Sequence, residues 1–353
     1  MGNNILTRAE CNALRGIAIL GIVLHNYSHW LGGIVKENEY LFRQSNADSM
    51  RWALESPDMN LPLNLLSFFG HYGVPIFLFL SAYGLVLKYE TKPELVGERA
   101  RLKGAWGFIR QHFLKLFKMM FVGFVAFVMV DAITPKPHRY TVIDIIAQLG
   151  MFNNLLFTPD RDIWPGPYWF FGLMLQLYII YRLFLYRRHW GWTVALMVVC
   201  TGVQMCFGAE SGKLLYLRYN SIGSVLPFGM GLLYARYVQI PQSKFYHVLT
   251  LVFVTGMIYT CSQSYYTWYL VPVLVVIDMI SLVKILPAII NGWLEWVGAI
   301  SAALFICHPI TRKIFIPVSY RGDMYTGILL YVIASVALAW LFRELLKRIP
   351  NPK

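Results

Sequence analysis

Long apolar runs alternate with short polar breaks along the whole chain, and the runs have the length that crossing a bilayer requires. The pattern predicts spans at 13–31, 68–88, 106–132, 167–186, 191–207, 220–238, 245–262, 265–284, 296–317 and 325–346, about ten transmembrane helices. The expected fold class is therefore all-α, a polytopic membrane helix bundle. Segment 143–157 is apolar but short, and Asn153-Asn154 interrupts it, so it reads as interfacial or re-entrant. No internal repeat and no soluble stretch stands out, and residues 1–353 read as a single integral membrane domain.

Composition agrees with the pattern. Of 353 residues, 57% are hydrophobic and only 14% are charged, which excludes a disordered or ordinary soluble protein. The net charge of +13 sits in short loops. It reads as the lysine and arginine excess of cytoplasmic loops, with no aromatic-interleaved soluble domain to bind nucleic acid. Lys88, Lys92, Arg99, Arg101 and Lys103 crowd one loop, Arg187-Arg188 another, and Arg343, Lys347, Arg348 and Lys353 the tail. The alternate loops carry acids: Glu37, Glu39, Asp48, Glu55 and Asp58 in 32–67, and Asp144, Asp160 and Asp162 in 133–166. This places both termini in the cytoplasm. Arg312 and Lys313 break the rule; either they serve a bound ligand or the span count is off by one. Cys11, Cys200, Cys206, Cys261 and Cys307 form no CxxC pair and imply neither a metal site nor a disulfide framework. The first helix lacks a cleavage profile and reads as retained, and Leu6 stands where a myristoylation signal after Met1-Gly2 needs Ser or Thr.

One helix carries chemistry. His25 lies in a bare apolar run, ten positions after Arg15, or about 15 Å along a helix axis. An ionisable group at that depth costs roughly 2.5 kcal/mol or more, which marks it as a functional candidate. His29, His71 and His308 fall at similar depth in the outer half, although His29 and His71 read as interfacial. Imidazole suits general-base work near neutral pH. No Gly-x-Ser-x-Gly elbow and no HExxH metal motif is present, so a direct base fits better than a triad, and no metal is expected. Arg15, Arg110, Lys115, Lys118 and Arg182 lie near inner helix ends, where snorkelling explains a single lysine. Arg15 has apolar neighbours, and a guanidinium there can grip phosphate in a bidentate fork.

Four blocks resemble the acyltransferase-three family of integral membrane acyltransferases: Leu14-Arg15-Gly16-Ile17-Ala18 through His25; Gly73-Val74-Pro75-Ile76-Phe77-Leu78-Phe79-Leu80-Ser81-Ala82-Tyr83; Phe108-Ile109-Arg110 through Lys115-Leu116-Phe117; and Leu294-Glu295-Trp296-Val297-Gly298 with Ser301 and Phe305-Ile306-Cys307-His308-Pro309. Their order spans nearly the whole chain. Ala82 replaces the family's usual glycine. Nine residues, not the usual ten, separate arginine from histidine, which puts the two roughly 80° apart on the helix instead of about 20°. Either His25 is the equivalent residue on a locally adjusted helix, or His29 shares its role; context and depth favour His25.

The resemblance implies a bacterial inner-membrane O-acyltransferase that takes an acyl group, most simply acetyl, from cytoplasmic acetyl-CoA to a hydroxyl of a cell-surface or exported glycan. It implies His25 as base or acyl carrier and Arg15 on the donor phosphates, with Arg110 assisting. Ser81, Tyr83 and His308 would line the site, and Trp169 with Tyr168 would stack on a sugar, unless they form an interfacial belt. A transporter or flippase for a small anion or lipid-linked sugar is the rival reading, since intramembrane His and Arg also mark ion paths. Against it stand the missing inverted repeat and paired broken helices. Acceptor, acyl group and oligomeric state, a homo-oligomer included, stay open.

Overall fold

The computed structural model describes residues 6–90, 98–156, 158–241 and 243–350, and among these there is helix but no strand. Met1, Gly2, Lys92, Phe157 and Lys353 lie outside the described residues, as do the side chains of Arg99, Arg101 and Lys103. The chain is an all-α membrane bundle. By length and composition, five helical stretches qualify as spans among the described residues: Leu61–Glu90, Gly104–Ile133, Gly166–Leu185, Lys244–Cys261 and Met324–Arg348. A sixth forms if Ala288–Ala299 and Ser301–Arg321, bent by 70°, count as one. The expected ten is a looser figure, because several of the other helices are short or polar.

The helices run in the order α1 (Arg8–Ser28), α2 (Gln44–Glu55), α3 (Leu61–Phe69), α4 (Gly73–Leu85), α5 (Glu98–Ile133), α6 (Val142–Leu149), α7 (Pro159–Asp162), α8 (Trp169–Ile180) and α9 (Trp190–Met205). Then follow α10 (Gly212–Tyr219), α11 (Ser221–Tyr237), α12 (Lys244–Cys261), α13 (Tyr265–Trp268), α14 (Val271–Ile285), α15 (Ala288–Ala299), α16 (Ser301–Arg321) and α17 (Met324–Arg348). The apolar segment 143–157 forms only α6 and a 3₁₀ turn at Asn153–Leu155, too short to cross.

The central helix is α1, which packs against α15, α4, α3, α16, α17 and α14. Beyond its exposed first turn protein surrounds it, so it tolerates the half-buried Glu10 and Arg15 without lipid-grade hydropathy. A capping box starts it: Thr7 Oγ1 accepts from Glu10 N–H at 3.2 Å, and Thr7 N–H donates to the Glu10 carboxylate at 2.8 Å. Glu10 also pairs with Lys284 of α14 at 2.7 Å. Tyrosine hydroxyls tie the C-terminal half of α1 to its neighbours. Tyr331 donates to Val23 O at 3.0 Å and Tyr27 donates to Phe315 O at 2.9 Å.

Glycines bring the neighbours close. A Cβ on Gly298 would lie 1.9 Å from Asn12 O, and one on Gly16 would lie 2.1 Å from Leu294 O, so α1 and α15 touch backbone to backbone. At the other face, a Cβ on Gly70 would meet Gly21 O at 2.6 Å and His25 Cβ at 2.8 Å. That contact, at the 3₁₀ turn Gly70–Tyr72 between α3 and α4, lays His71 against His25.

Candidate functional site

α1 is regular through His25, so no local adjustment closes the 80° between Arg15 and His25. The two project differently. Arg15 is half-buried and donates to Asn12 Oδ1 at 2.8 Å. His25 is 3% exposed and lines a cavity of about 350 Å³ that Arg15 does not reach. Its Nδ1 lies 2.8 Å from Ser67 O. A carbonyl only accepts, so Nδ1 carries the proton and Nε2 keeps its lone pair. That Nε2 stands 3.8 Å from Glu39 Oε2.

The sequence reading set His29 and His71 at the interface, and the structure groups both with His25. His71 is 4% exposed with its ring centroid 5.4 Å from that of His25, and the His29 ring is 4.9 Å away. All three line the cavity. His29 Nδ1 meets Glu37 Oε1 at 3.1 Å. His25, His29 and Glu37 each present a ligand-type atom, all within 4.8 Å of one another, an arrangement able to hold a metal ion.

Glu37 and Glu39 arrive on the loop after α1. Its path is pinned from afar, where Arg218 donates to Glu39 O at 2.7 and 3.2 Å and Trp268 Nε1 to Asn38 O at 2.8 Å, and locally, where Asn46 donates to Glu37 O at 2.8 Å. Burial pushes the Glu39 carboxyl up to about 8, and the Glu37 carboxylate adds to the rise. Burial also works to raise Glu37, but the hydrogen bond with His29 and the nearby imidazoles outweigh it and hold that carboxyl below its usual range.

Aromatic rings make the opposite wall. Trp169 packs edge-on against Tyr40 and Tyr219, with centroids at 5.7 and 5.8 Å, and those two stack at 4.0 Å. Asn154 fixes this corner, its Nδ2 donating to Trp169 O and Tyr219 O, both at 2.8 Å. Trp169 thus belongs to the cavity wall, 7% exposed, and not to a lipid-facing belt. Tyr168 does not share the role: it is buried and donates to Ile306 O at 2.8 Å.

The misplaced cations find reasons. Arg312 is 7% exposed, lines the cavity and donates to Asn26 O and Oδ1 at 3.3 and 3.2 Å. Lys313 pairs with the buried Asp131 of α5. His308 is buried one turn before Arg312, its Nδ1 donating to Leu304 O at 3.2 Å, close to the cavity but behind its wall.

The other expected residues are not brought here. Arg110 is exposed on α5. Ser81 meets Tyr178 hydroxyl to hydroxyl at 3.2 Å, away from the histidines, and the Tyr178 ring packs on His112 at 4.3 Å. Tyr83 is a structural anchor whose hydroxyl accepts from Leu6 N–H at 3.0 Å, so its expected place in the site is corrected. Tyr83→Phe should cost about 1 kcal/mol of stability. The check is a small fall in melting temperature with the transfer rate unchanged.

Sequence reasoning missed Glu37, Glu39, Tyr40, Tyr219 and Trp164 as wall residues, and the one usable signal was the acid content of loop 32–67. A second cleft of about 430 Å³ shares His29, Trp30, Glu37, Glu39 and Tyr40 and leads on to Arg43 and Asn46. A larger apolar groove, about 500 Å³, lies behind the Gly21–Gly70 contact, but its wall is nearly all hydrocarbon and lacks acid–base groups apart from Asp278.

The fold and site together are a helical membrane bundle with a buried imidazole facing a cavity of acids and aromatic rings. Residues 8–344 match the profile of a family described as an acyltransferase domain, so the chain belongs to the acyltransferase-three family and is a membrane acyltransferase. Comparison with curated proteins and with solved structures gives no significant match.

Proposed function

We propose that the protein is an acyl-CoA-dependent O-acyltransferase of the bacterial inner membrane, with both termini in the cytoplasm, moving an acetyl group to a hydroxyl of an exported or cell-surface glycan. The observation that carries the reading is the fixed tautomer of His25, which aims a basic Nε2 at a cavity walled by acids and aromatic rings. The acceptor hydroxyl gives its proton to Nε2 as its oxygen attacks the thioester carbonyl carbon. The carbonyl π bond opens to an oxyanion, which the Arg312 guanidinium stabilises. The C–O double bond re-forms, the C–S bond breaks, and the thiol leaves with the proton returned from His25. Trp169 and Tyr219 offer faces for a sugar ring, and Glu37 and Glu39 offer acceptors for its hydroxyls.

Arg15 sits about 15 Å back along α1, a separation suited to an extended pantetheine arm running from the donor phosphates to the thioester. Removing one charged hydrogen bond is worth about 1.5–3 kcal/mol. Arg15→Ala should therefore raise the donor KM about 10–100-fold with kcat little changed, measured with acetyl-CoA as the varied substrate.

Membrane vesicles containing the protein, supplied with radiolabelled acetyl-CoA and cell-surface glycan, should build covalent label into the glycan. Label that stays on coenzyme A, in vesicles where the folded protein is present, would overturn the reading.

A further inference from the structure

We propose that His25, His29 and Glu37 form a binding site for a divalent transition-metal ion of the Zn²⁺ type, and that occupancy silences the transferase. The silencing half rests on the function proposed above; the binding half does not.

His25 and His29 are four residues apart on the last turn of α1 and its cap, a spacing that puts both imidazoles on one face. The following loop turns Glu37 back onto them. Two imidazoles and a carboxylate are the donor set of open zinc sites, and they suit zinc, copper and nickel better than magnesium or calcium. The three ligand atoms lie within 4.8 Å of one another. The His29–Glu37 pair, at 3.1 Å, already approaches the edge of about 3.3 Å that tetrahedral bonds of zinc length require. His25 completes the set by a small movement of its ring.

The support around the ligands has the form metal sites use. A ligating histidine donates its other ring N–H to a fixed acceptor, and His25 does so to Ser67 O. Asn46 holds the backbone of Glu37. Four buried polar atoms gather here with no hydrogen-bond partner: His29 Nε2, Glu37 Oε2 and both ring nitrogens of His71. Proteins in general pair most of their buried polar groups, and here four unpaired atoms fall on three neighbouring residues around one cavity, a cluster that points to a ligand. Glu37 supplies negative charge, and the Arg312 guanidinium across the cavity is held on Asn26. The cavity leaves a fourth coordination position open to solvent or acceptor. A metal on His25 Nε2 occupies the lone pair that would take the hydroxyl proton, so metal and turnover compete.

The test uses the full-length protein purified in detergent and stripped with a chelator. Zn²⁺ titrated by calorimetry should bind one ion per chain, and Co²⁺ should develop the visible absorption of a four-coordinate site. His29→Gln and Glu37→Gln should each weaken Zn²⁺ at least 100-fold while keeping the wild-type thermal unfolding in the absence of metal. Acetyl transfer by the wild type should fall as Zn²⁺ rises and return with chelator. No Co²⁺ spectrum, or equal Zn²⁺ affinity in wild type and both variants, overturns the site. Transfer that increases with Zn²⁺ overturns the silencing. Zn²⁺ bound by a chain that transfers no acetyl supports the site and overturns the transferase reading; transfer lost in His25→Ala, with no Zn²⁺ bound by wild type, does the reverse.

Discussion

His25→Ala is expected to lower acyl transfer about 10²–10⁴-fold, the usual contribution of a positioned general base. The substitution removes the imidazole whose tautomer the fold sets with its free nitrogen on the cavity, Nδ1–H on Ser67 O and Nε2 toward the cavity. It also leaves Ser67 O without that donor, at a stability cost of about 1 kcal/mol. The two effects separate cleanly. Label incorporated into glycan by vesicles should collapse, while the melting temperature in detergent moves by only a few degrees. A folded His25→Ala protein that acetylates at the wild-type rate would remove His25 from the mechanism.

Gly298→Ala should be the most damaging small substitution to the fold. The added methyl would stand 1.9 Å from Asn12 O and 3.1 Å from Gly16 N. Those are backbone atoms of α1, and they move only if the helices part. Overpacking costs typically 1–3 kcal/mol, and a clash against backbone belongs at the upper end. At about 2–4 °C per kcal/mol the melting temperature should fall by roughly 10 °C. Gly292→Ala on the same helix is the control, because no atom lies within 4 Å of its new methyl. Helix propensity favours that change by up to about 1 kcal/mol. Equal melting temperatures for the two variants would rule out the α1–α15 contact as the reason for Gly298.

These glycines show how the sequence motifs divide. Arg15-Gly16 and Gly298 stand in two of the blocks that carry the family resemblance, nearly three hundred positions apart, and the two glycines meet where α1 crosses α15. Part of that resemblance is packing. Tyr83 is similar: it lies in the second block but holds the chain at Leu6. His25 and Trp169 do reach the cavity from their predicted positions. The charge pattern held a further clue, since Arg312 and Lys313 stood on the side where cations are scarce, and one lines the site while the other pairs with Asp131.

Hydropathy acts residue by residue, so the chain alone determined that it is helical, that it lives in a membrane, and that an imidazole at position 25 is a costly exception in its apolar run. The company His25 keeps depends on contacts across long separations: Arg312 with Asn26 at 286 positions, Trp268 with Asn38 at 230, and Arg218 with Glu39 at 179. Each bond steers a loop or a helix face that local propensity leaves free. Only the tertiary structure could therefore decide that Glu37, Glu39 and His71 converge on His25, while Arg15, Arg110 and Tyr83 do not.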